Sequence, residues 1–404
     1  MSENAKIRLH IPGIPHTITR GEFSHCAFTG KVLRFSPMMR ARGFEVYHYG
    51  VETSESGADV DVQLMTKAEW AELRIQSYIY LKKASREDAE RVLSDPTAFV
   101  GELANWDTPL YKVFNERLAA ELRKSYRGSA TDIFCMPLYK YHAIDHVPML
   151  VVEHGIGYPN SGTNFRIFES YAWMHAHLQK GNGNNYWFVV PNYFDSRDWP
   201  LSLLPATSLS SATSLSSSII TPKVDTVGFL GRIYDGKGCG EIVEMARRFP
   251  TVRFVLCGQG DPTKYLVEPN IVYKPPIHGT ERAEYLGSLV ASVAPTMFVE
   301  PFCGVAVESQ LCGTPVMTKD YGAQTETVEQ FKTGVRCHTL ADYCFGIQMA
   351  LDGKFDRAYI RERAVRLYDM DAVGRQFEYC FKSILDIFNG ANGWYSPVSH
   401  LTNQ

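Results

Sequence analysis

No long apolar run, no paired-cysteine motif and no surplus of basic charge occurs in this chain of 404 residues. Each absence removes a class of protein. Without an uninterrupted apolar stretch that could cross a bilayer, no transmembrane segment is expected. The nine cysteines are scattered through apolar segments, Cys135, Cys257, Cys303 and Cys312 among them, and none forms a CxxC pair. That pattern reads as free buried thiols in a reducing compartment. The formal net charge of −3 provides no strongly basic face, so nucleic acid is not an expected partner. No G-x-G-x-x-G follows the first apolar run, which argues against a dinucleotide dehydrogenase. Met1 to Lys6 is polar and lacks the apolar core of a signal peptide. A cytoplasmic protein is the expectation.

What is present fits two globular cores. Hydrophobic residues make up 45% and charged residues 21%, ordinary values for a soluble protein. A length of 404 residues is long for one core and comfortable for two. Ile7 to Ile11 reads as a first strand, followed by a long loop through Gly13, Pro15 and Gly21. A helix is expected from the region of Ser24 to Thr29 as far as Arg42, kinked or broken at Pro37. Phe44 to Tyr49 reads as the second strand. Lys67 to Leu93 and Tyr111 to Arg127 have helical spacing, and Asp132 to Pro137 and Met149 to Val152 read as buried strands. Arg166 to Gln179 reads as a helix, and Trp187 to Val190 as the last strand of the first half. Such alternation predicts an α/β fold of parallel sheets covered by helices. The Ser-, Thr- and Ala-rich stretch from Leu201 to Ser218 carries little structural signal and marks a domain boundary. The expected division is a first domain over 1–200, a linker over 201–222 and a second domain over 223–375, with an amphipathic helix in the tail 376–404.

Chemistry concentrates in the second half, in Glu300-Pro301-Phe302-Cys303-Gly304-Val305-Ala306-Val307-Glu308. The apolar run before it, Ala291 to Phe298, reads as a strand, and Val305 to Cys312 reads as a helix stopped by Gly313. Ligands of open parallel sheets bind at the carboxyl ends of strands, beside the following helix N-termini. Glu300 therefore falls at a strand end and Glu308 in the early turns of the helix. The amides of Phe302, Cys303, Gly304 and Val305 lie between them, free to meet an anion or hydroxyl oxygens. A ligand that is both anionic and rich in hydroxyls suits that pattern, which describes a nucleotide sugar.

A second strand end carries Gly231-Arg232-Ile233-Tyr234-Asp235-Gly236-Lys237-Gly238, after the apolar run Thr226 to Leu230. Arg232 offers a rigid fork and Lys237 a point charge, both suited to phosphate oxygens. Gly231, Gly236 and Lys237 have the spacing of a Walker A loop. However, Gly238 stands where a metal-binding hydroxyl is needed, and Asp235 would put negative charge into a phosphate cradle. The segment reads as one that binds a diphosphate by charge rather than by wrapping it.

These residues resemble the donor site of the retaining GT-B glycosyltransferases of family 4, the glycosyl transferases group 1. Arg232, Lys237, Glu300 and Glu308 carry the likeness, supported by Gly258-Gln259-Gly260, Thr314-Pro315-Val316, Asp320-Tyr321-Gly322-Ala323 and Glu326. In the first half it rests on Glu153-His154-Gly155 and on Pro191-Asn192-Tyr193-Phe194-Asp195, where Tyr193 replaces the family's usual glycine. The resemblance implies two doubly wound Rossmann-like domains facing across a cleft, the first on the acceptor side and completed by the last helix. It implies a sugar-contacting role for His154, whose neighbours Gly155 and Gly157 suggest an exposed loop. His25, in the first strand–helix loop, falls where the acceptor approaches. Lys274, Pro275, Pro276 and Ile277 fall where the nucleotide base is read by backbone. Uridine is favoured over guanosine only because it is commoner in the family.

The expected activity is transfer of a glucose- or mannose-like hexose from a UDP-sugar to a glycan or other hydroxyl acceptor. Arg232, Lys237 and the helix amides stabilise the departing diphosphate in a dry cleft. Glu308 takes both ribose hydroxyls, and Glu300 with the Phe302 to Gly304 amides holds the transferred sugar. With both glutamates committed to binding, front-face transfer is expected, the diphosphate itself taking the acceptor's proton. Glu300 as a nucleophile is the rival mechanism. No cofactor or metal is strictly required on this reading; a stimulating divalent cation bound through the diphosphate is compatible with it. A nucleotide-sugar epimerase and a non-catalytic nucleotide-sugar-binding protein are the alternatives. The oligomeric state is open. On this reading Lys237→Ala greatly reduces turnover and leaves the melting temperature nearly unchanged.

Overall fold

The structure, a computed structural model, describes residues 6–24, 26–97, 100–136, 149–181, 183, 186–202 and 224–390. His25, most of the 201–222 linker and the tail from 391 lie outside the described residues. The chain forms two compact units. One comprises 1–169, 177–191 and 373–404, and the other 170–176 and 192–372. The main segment of the second unit thus starts at residue 192 rather than after 200. Backbone bonds explain the shift: Phe194 donates to the Tyr368 carbonyl (2.9 Å) and Met370 to the Phe194 carbonyl (2.9 Å). Arg361 holds the Trp199 carbonyl as well.

The first unit is built on seven parallel strands: β1 (Arg8–Pro12), β2 (Glu45–Val51), β3 (Val60–Met65), β4 (Asp132–Met136), β5 (Leu150–Ile156), β6 (Phe165–Phe168) and β7 (Trp187–Val189). Their order is β3-β2-β1-β4-β5-β6-β7. Helices α1 (Ala27–Ala41), α2 (Lys67–Lys82), α3 (Arg86–Val92) and α4 (Pro109–Ser125) lie between them in the chain. Trp70, Leu110, Phe114, Leu118 and Phe134 form one core, in which the Trp70 indole donates to the Pro15 carbonyl (2.9 Å). Burying each such side chain contributes roughly 1.5–3 kcal/mol.

Two local expectations change, and one polar stretch gains a strand. The helix α1 runs unbroken through Pro37. A proline there loses one bond, to the carbonyl four residues earlier, while buried Phe35, Met38 and Met39 hold the turns on either side. Arg166 to Phe168 belongs to strand β6 and not to a helix; α5 is confined to Tyr171–Leu178. A short apolar run has no period that separates strand from helix, and here β5 and β7 supply partners on both edges. The polar stretch around Asp59-Val60-Asp61 becomes the edge strand β3, with Asp61 bonded to His48 Nδ1 (2.7 Å) and Asp59 accepting from the Val46 N–H (2.9 Å).

The second unit holds six parallel strands: β8 (Thr226–Leu230), β9 (Arg253–Cys257), β10 (Ile271–Lys274), β11 (Ala291–Ala294), β12 (Val316–Lys319) and β13 (Gly334–Cys337), in the order β10-β9-β8-β11-β12-β13. Helices α6 (Cys239–Arg248), α7 (Gly279–Ser288), α8 (Gly304–Leu311), α9 (Gln324–Thr327), α10 (Leu340–Leu351) and α11 (Arg357–Tyr368) connect or follow them. Val227, Phe229, Ile242, Met245, Phe254, Leu256, Met317 and Ile347 make the main core. The last helix, α12 (Met370–Phe388), buries Phe377 and Phe381 against Phe35, and Phe381 against Phe44, in the first unit. Among the described residues no helix is long and apolar enough to cross a membrane.

Candidate active site

Strand order in the second sheet decides which loops meet. β8 pairs with β11, Ala291 opposite Val227 and Ser292 opposite Gly228, so the segments leaving their carboxyl ends start side by side. The Met297 N–H donates to the Gly236 carbonyl (2.9 Å) and ties the two loops together. Across that junction the Lys237 ammonium pairs with the Glu300 carboxylate. Thr296 Oγ1 donates to the same carboxylate oxygen (3.0 Å), and the Phe298 ring lies 4.8 Å from the Lys237 nitrogen. Glu300 is buried. Lys237 and Glu300, both read from the sequence as site residues, thus meet at these strand ends, and their contact is with each other.

Gly238 caps α6 with φ +74°, and a Cβ placed on it would sit 2.2 Å from the Pro295 carbonyl oxygen. No side chain fits, which accounts physically for the missing P-loop hydroxyl. Gly258 makes a similar close approach from the end of β9, where a Cβ would meet the Gly231 carbonyl oxygen at 1.8 Å. Arg232 is exposed beside Tyr234, with 5.5 Å from guanidinium to ring, and has no carboxylate partner among the described residues. The negative charge of Asp235 is not left in the cradle. Lys264 (2.7 Å) and the Tyr265 hydroxyl (2.7 Å) bond to it, and those bonds hold its carboxyl below the usual range.

Cys303 caps α8 in the left-handed region, φ 66° and ψ 66°, where a non-glycine residue costs roughly 1–3 kcal/mol. Burial first, and the neighbouring Glu300 charge second, push its thiol up to about 12, so it stays neutral. The N–H groups of Phe302, Cys303, Gly304 and Val305 have no acceptor among the described residues. Gly322 and Ala323 close the far side, the Ala323 N–H donating to the Glu300 carbonyl (3.2 Å).

Glu308 sits one turn into α8 and is held by Arg282 of α7, through Nε (2.9 Å) and a terminal nitrogen, both on Oε2. Arg282 was not anticipated. Its partner lies 26 residues away, and no spacing rule joins them. Lys274 ends β10 and pairs with Glu281 (2.9 Å); Pro275 and Pro276 follow, and Ile277 turns inward and is buried. Also unforeseen is a contact from residue 170. Ser170 Oγ donates to the Pro301 carbonyl (2.7 Å), and Glu326 accepts from the N–H groups of Tyr171 (3.0 Å) and Ala172 (2.8 Å). Among the described residues no group of three His, Cys, Asp or Glu side chains could hold a metal ion.

His154 departs from expectation. It lies within β5, not on an exposed loop, and its ring stacks on Phe35 with centroids 4.3 Å apart and edges toward Phe377. Its Nε2 is buried and has no hydrogen-bond partner among the described residues. Burial, with the Lys31 charge second, lowers its pKa to about 3. The flanking glycines suggested a loop, but α1 and α12 cover the site. A core position of this kind does not offer the ring to a sugar.

Residues 214–364 match the family described as glycosyl transferases group 1. No curated relative matches the chain by sequence. Among solved structures, the chain is similar to sucrose-phosphate synthase from Thermosynechococcus elongatus, with TM-score 0.64 and 16% identity over 95% of this chain and 100% of that one. AviGT4, a glycosyltransferase involved in avilamycin A biosynthesis, gives TM-score 0.60 and 15% identity over 94% and 98%. Anabaena HepE, solved with UDP and glucose, gives 0.58 and 13% over 93% and 100%. At these identities the likeness establishes the fold, the two-sheet GT-B architecture.

Proposed function

We propose that the chain, whose residues 214–364 match the family described as glycosyl transferases group 1, transfers a hexose from a UDP-sugar to a hydroxyl acceptor with retention of configuration. The observation that carries this reading is the meeting of Lys237 and Glu300 at two adjacent strand ends, beside the amides of Phe302 to Val305, which have no acceptor among the described residues. Cation, carboxylate and amides together suit a sugar diphosphate. HepE has been solved with UDP and glucose and with UDP-glucose, which supports uridine and glucose as the first donor to try.

In the proposed mechanism the diphosphate takes Lys237 from Glu300, and Arg232 adds a second cation. Cleavage of the anomeric C–O bond moves an electron pair onto the leaving phosphate oxygen, where these cations and the α8 amides oppose the new charge. Each such preorganised donor is worth roughly 3 kcal/mol of barrier. Released from Lys237, Glu300 accepts hydroxyls of the transferred sugar. The acceptor hydroxyl approaches on the same face and gives its proton to the leaving phosphate. Glu308 receives the ribose, and backbone at Lys274 to Ile277 meets the base. His154 is left out of this scheme because its ring is packed against Phe35. A divalent cation would act through the diphosphate, not through protein ligands.

The test is a nucleotide-sugar panel by thermal shift, since a true donor raises the melting temperature by mass action. Proton NMR of the product from the best donor then reads the anomeric configuration. Retention is expected. Inversion, or a rearranged sugar released without acceptor, contradicts the proposal.

A further inference from the structure

The pairing of Arg282 with Glu308 is lopsided, and that asymmetry has chemical content. A carboxylate offers about four lone-pair positions, two on each oxygen. Both nitrogens of Arg282 that reach Glu308 fall on Oε2, which fills that oxygen. Oε1 has no partner among the described residues, and the Glu308 side chain is 12% exposed. Arg282 spends only part of its capacity: a guanidinium carries five N–H groups, and its side chain is 31% exposed. It lies in the first turn of α7, the helix that follows the Pro275 to Ile277 loop, and the Trp199 ring lies 6.0 Å from the guanidinium carbon.

We infer that Arg282 sets how the site recognises the ribose of its nucleotide, by fixing Glu308 as a one-sided acceptor and offering its own remaining N–H groups beside it. This rests on the donor-site reading above. The occupant is a vicinal diol next to an anionic group. One hydroxyl donates to Glu308 Oε1; its neighbour accepts from an Arg282 N–H. The paired arrangement needs both partners, so it penalises a 2′-deoxy sugar. Arg282 acts partly through Glu308 and is a positioning residue as well as a contact.

The test compares UDP, 2′-deoxy-UDP and inorganic pyrophosphate by calorimetry on the full chain, in wild type and in Arg282→Lys and Arg282→Gln. Wild type is expected to prefer UDP over 2′-deoxy-UDP by about tenfold, the size of one lost hydrogen bond to a charged group. Both variants should bring that ratio to within about threefold, while Arg282→Lys binds pyrophosphate as wild type does. A merely structural arginine would lower the melting temperature and leave the ratio intact. An unchanged ratio in folded variants overturns the inference. So does an equal loss of pyrophosphate and UDP in Arg282→Lys. Wild-type protein that binds pyrophosphate but none of UDP, GDP and ADP overturns the donor reading first, and this inference with it.

Discussion

Lys237 and Glu300, 63 residues apart in the chain, form an ion pair across the ends of adjacent strands β8 and β11. Both side chains are largely shielded, at 19% and 10% exposure. In this state the cation proposed to meet phosphate neutralises the carboxylate proposed to meet the sugar. Donor binding on the proposed mechanism is therefore an exchange of partners, not occupation of a vacant site.

That pairing changes the expectation for Lys237→Ala. Removing the ammonium leaves a buried carboxylate with Thr296 as its remaining side-chain donor, a loss of roughly 1–3 kcal/mol. The melting temperature should fall along with turnover, contrary to the reading from sequence. In the double variant Lys237→Met with Glu300→Gln, stability should return toward wild type while turnover stays absent. Thermal denaturation and a donor-consumption assay, run side by side, check both halves.

Gly238→Ser would restore the hydroxyl of a P-loop pattern. Here the new Cβ would meet the Pro295 carbonyl at 2.2 Å in a left-handed backbone. Loss of at least roughly 2 kcal/mol in urea denaturation is expected. A variant as stable as wild type would mean that the loop has room for a side chain after all.

Asp235 is neutralised by Lys264 and Tyr265. Asp235→Asn should therefore leave UDP affinity within about threefold of wild type. If UDP binding strengthened by tenfold or more, the carboxylate would be repelling phosphate despite its partners.

His154 gives a pH signature. Its folded pKa, lowered to about 3 by burial and then by Lys31, lies below its ordinary 6.5. The native state keeps the ring neutral while the unfolded chain takes up a proton. The stabilisation is fully present above pH 6.5 and is lost as pH falls toward 3, at about 1.4 kcal/mol per unit. His10, also lowered by burial, tilts the curve the same way. His154→Phe should flatten stability against pH between about 6 and 4 relative to wild type, read by denaturant midpoints. An unchanged slope would place the ring in contact with water.

What was legible in the sequence was local. The turn at Pro301 to Gly304 could be located because an apolar run precedes it and Gly313 stops the helix that follows. Gly238 was noticed as a missing hydroxyl, although its cause, the Pro295 carbonyl, lies on the neighbouring strand end. Pairings that depend on sheet order were out of reach: Arg282 with Glu308, Asp235 with Lys264, Ser170 with Pro301. β6 was misread because Phe165, Ile167 and Phe168 are apolar at both helical and extended spacing. His154 was misplaced for a related reason. Glycines beside it are visible locally, and the helix α12 that buries it comes from the other end of the chain.

The most direct measurement is calorimetric titration of UDP into wild type and into the folded double variant Lys237→Met with Glu300→Gln. Saturable binding to wild type, weakened by at least about a hundredfold in the double variant, is the expected result. Equal affinity in the two proteins would place the nucleotide somewhere other than the β8 and β11 strand ends and would contradict the account.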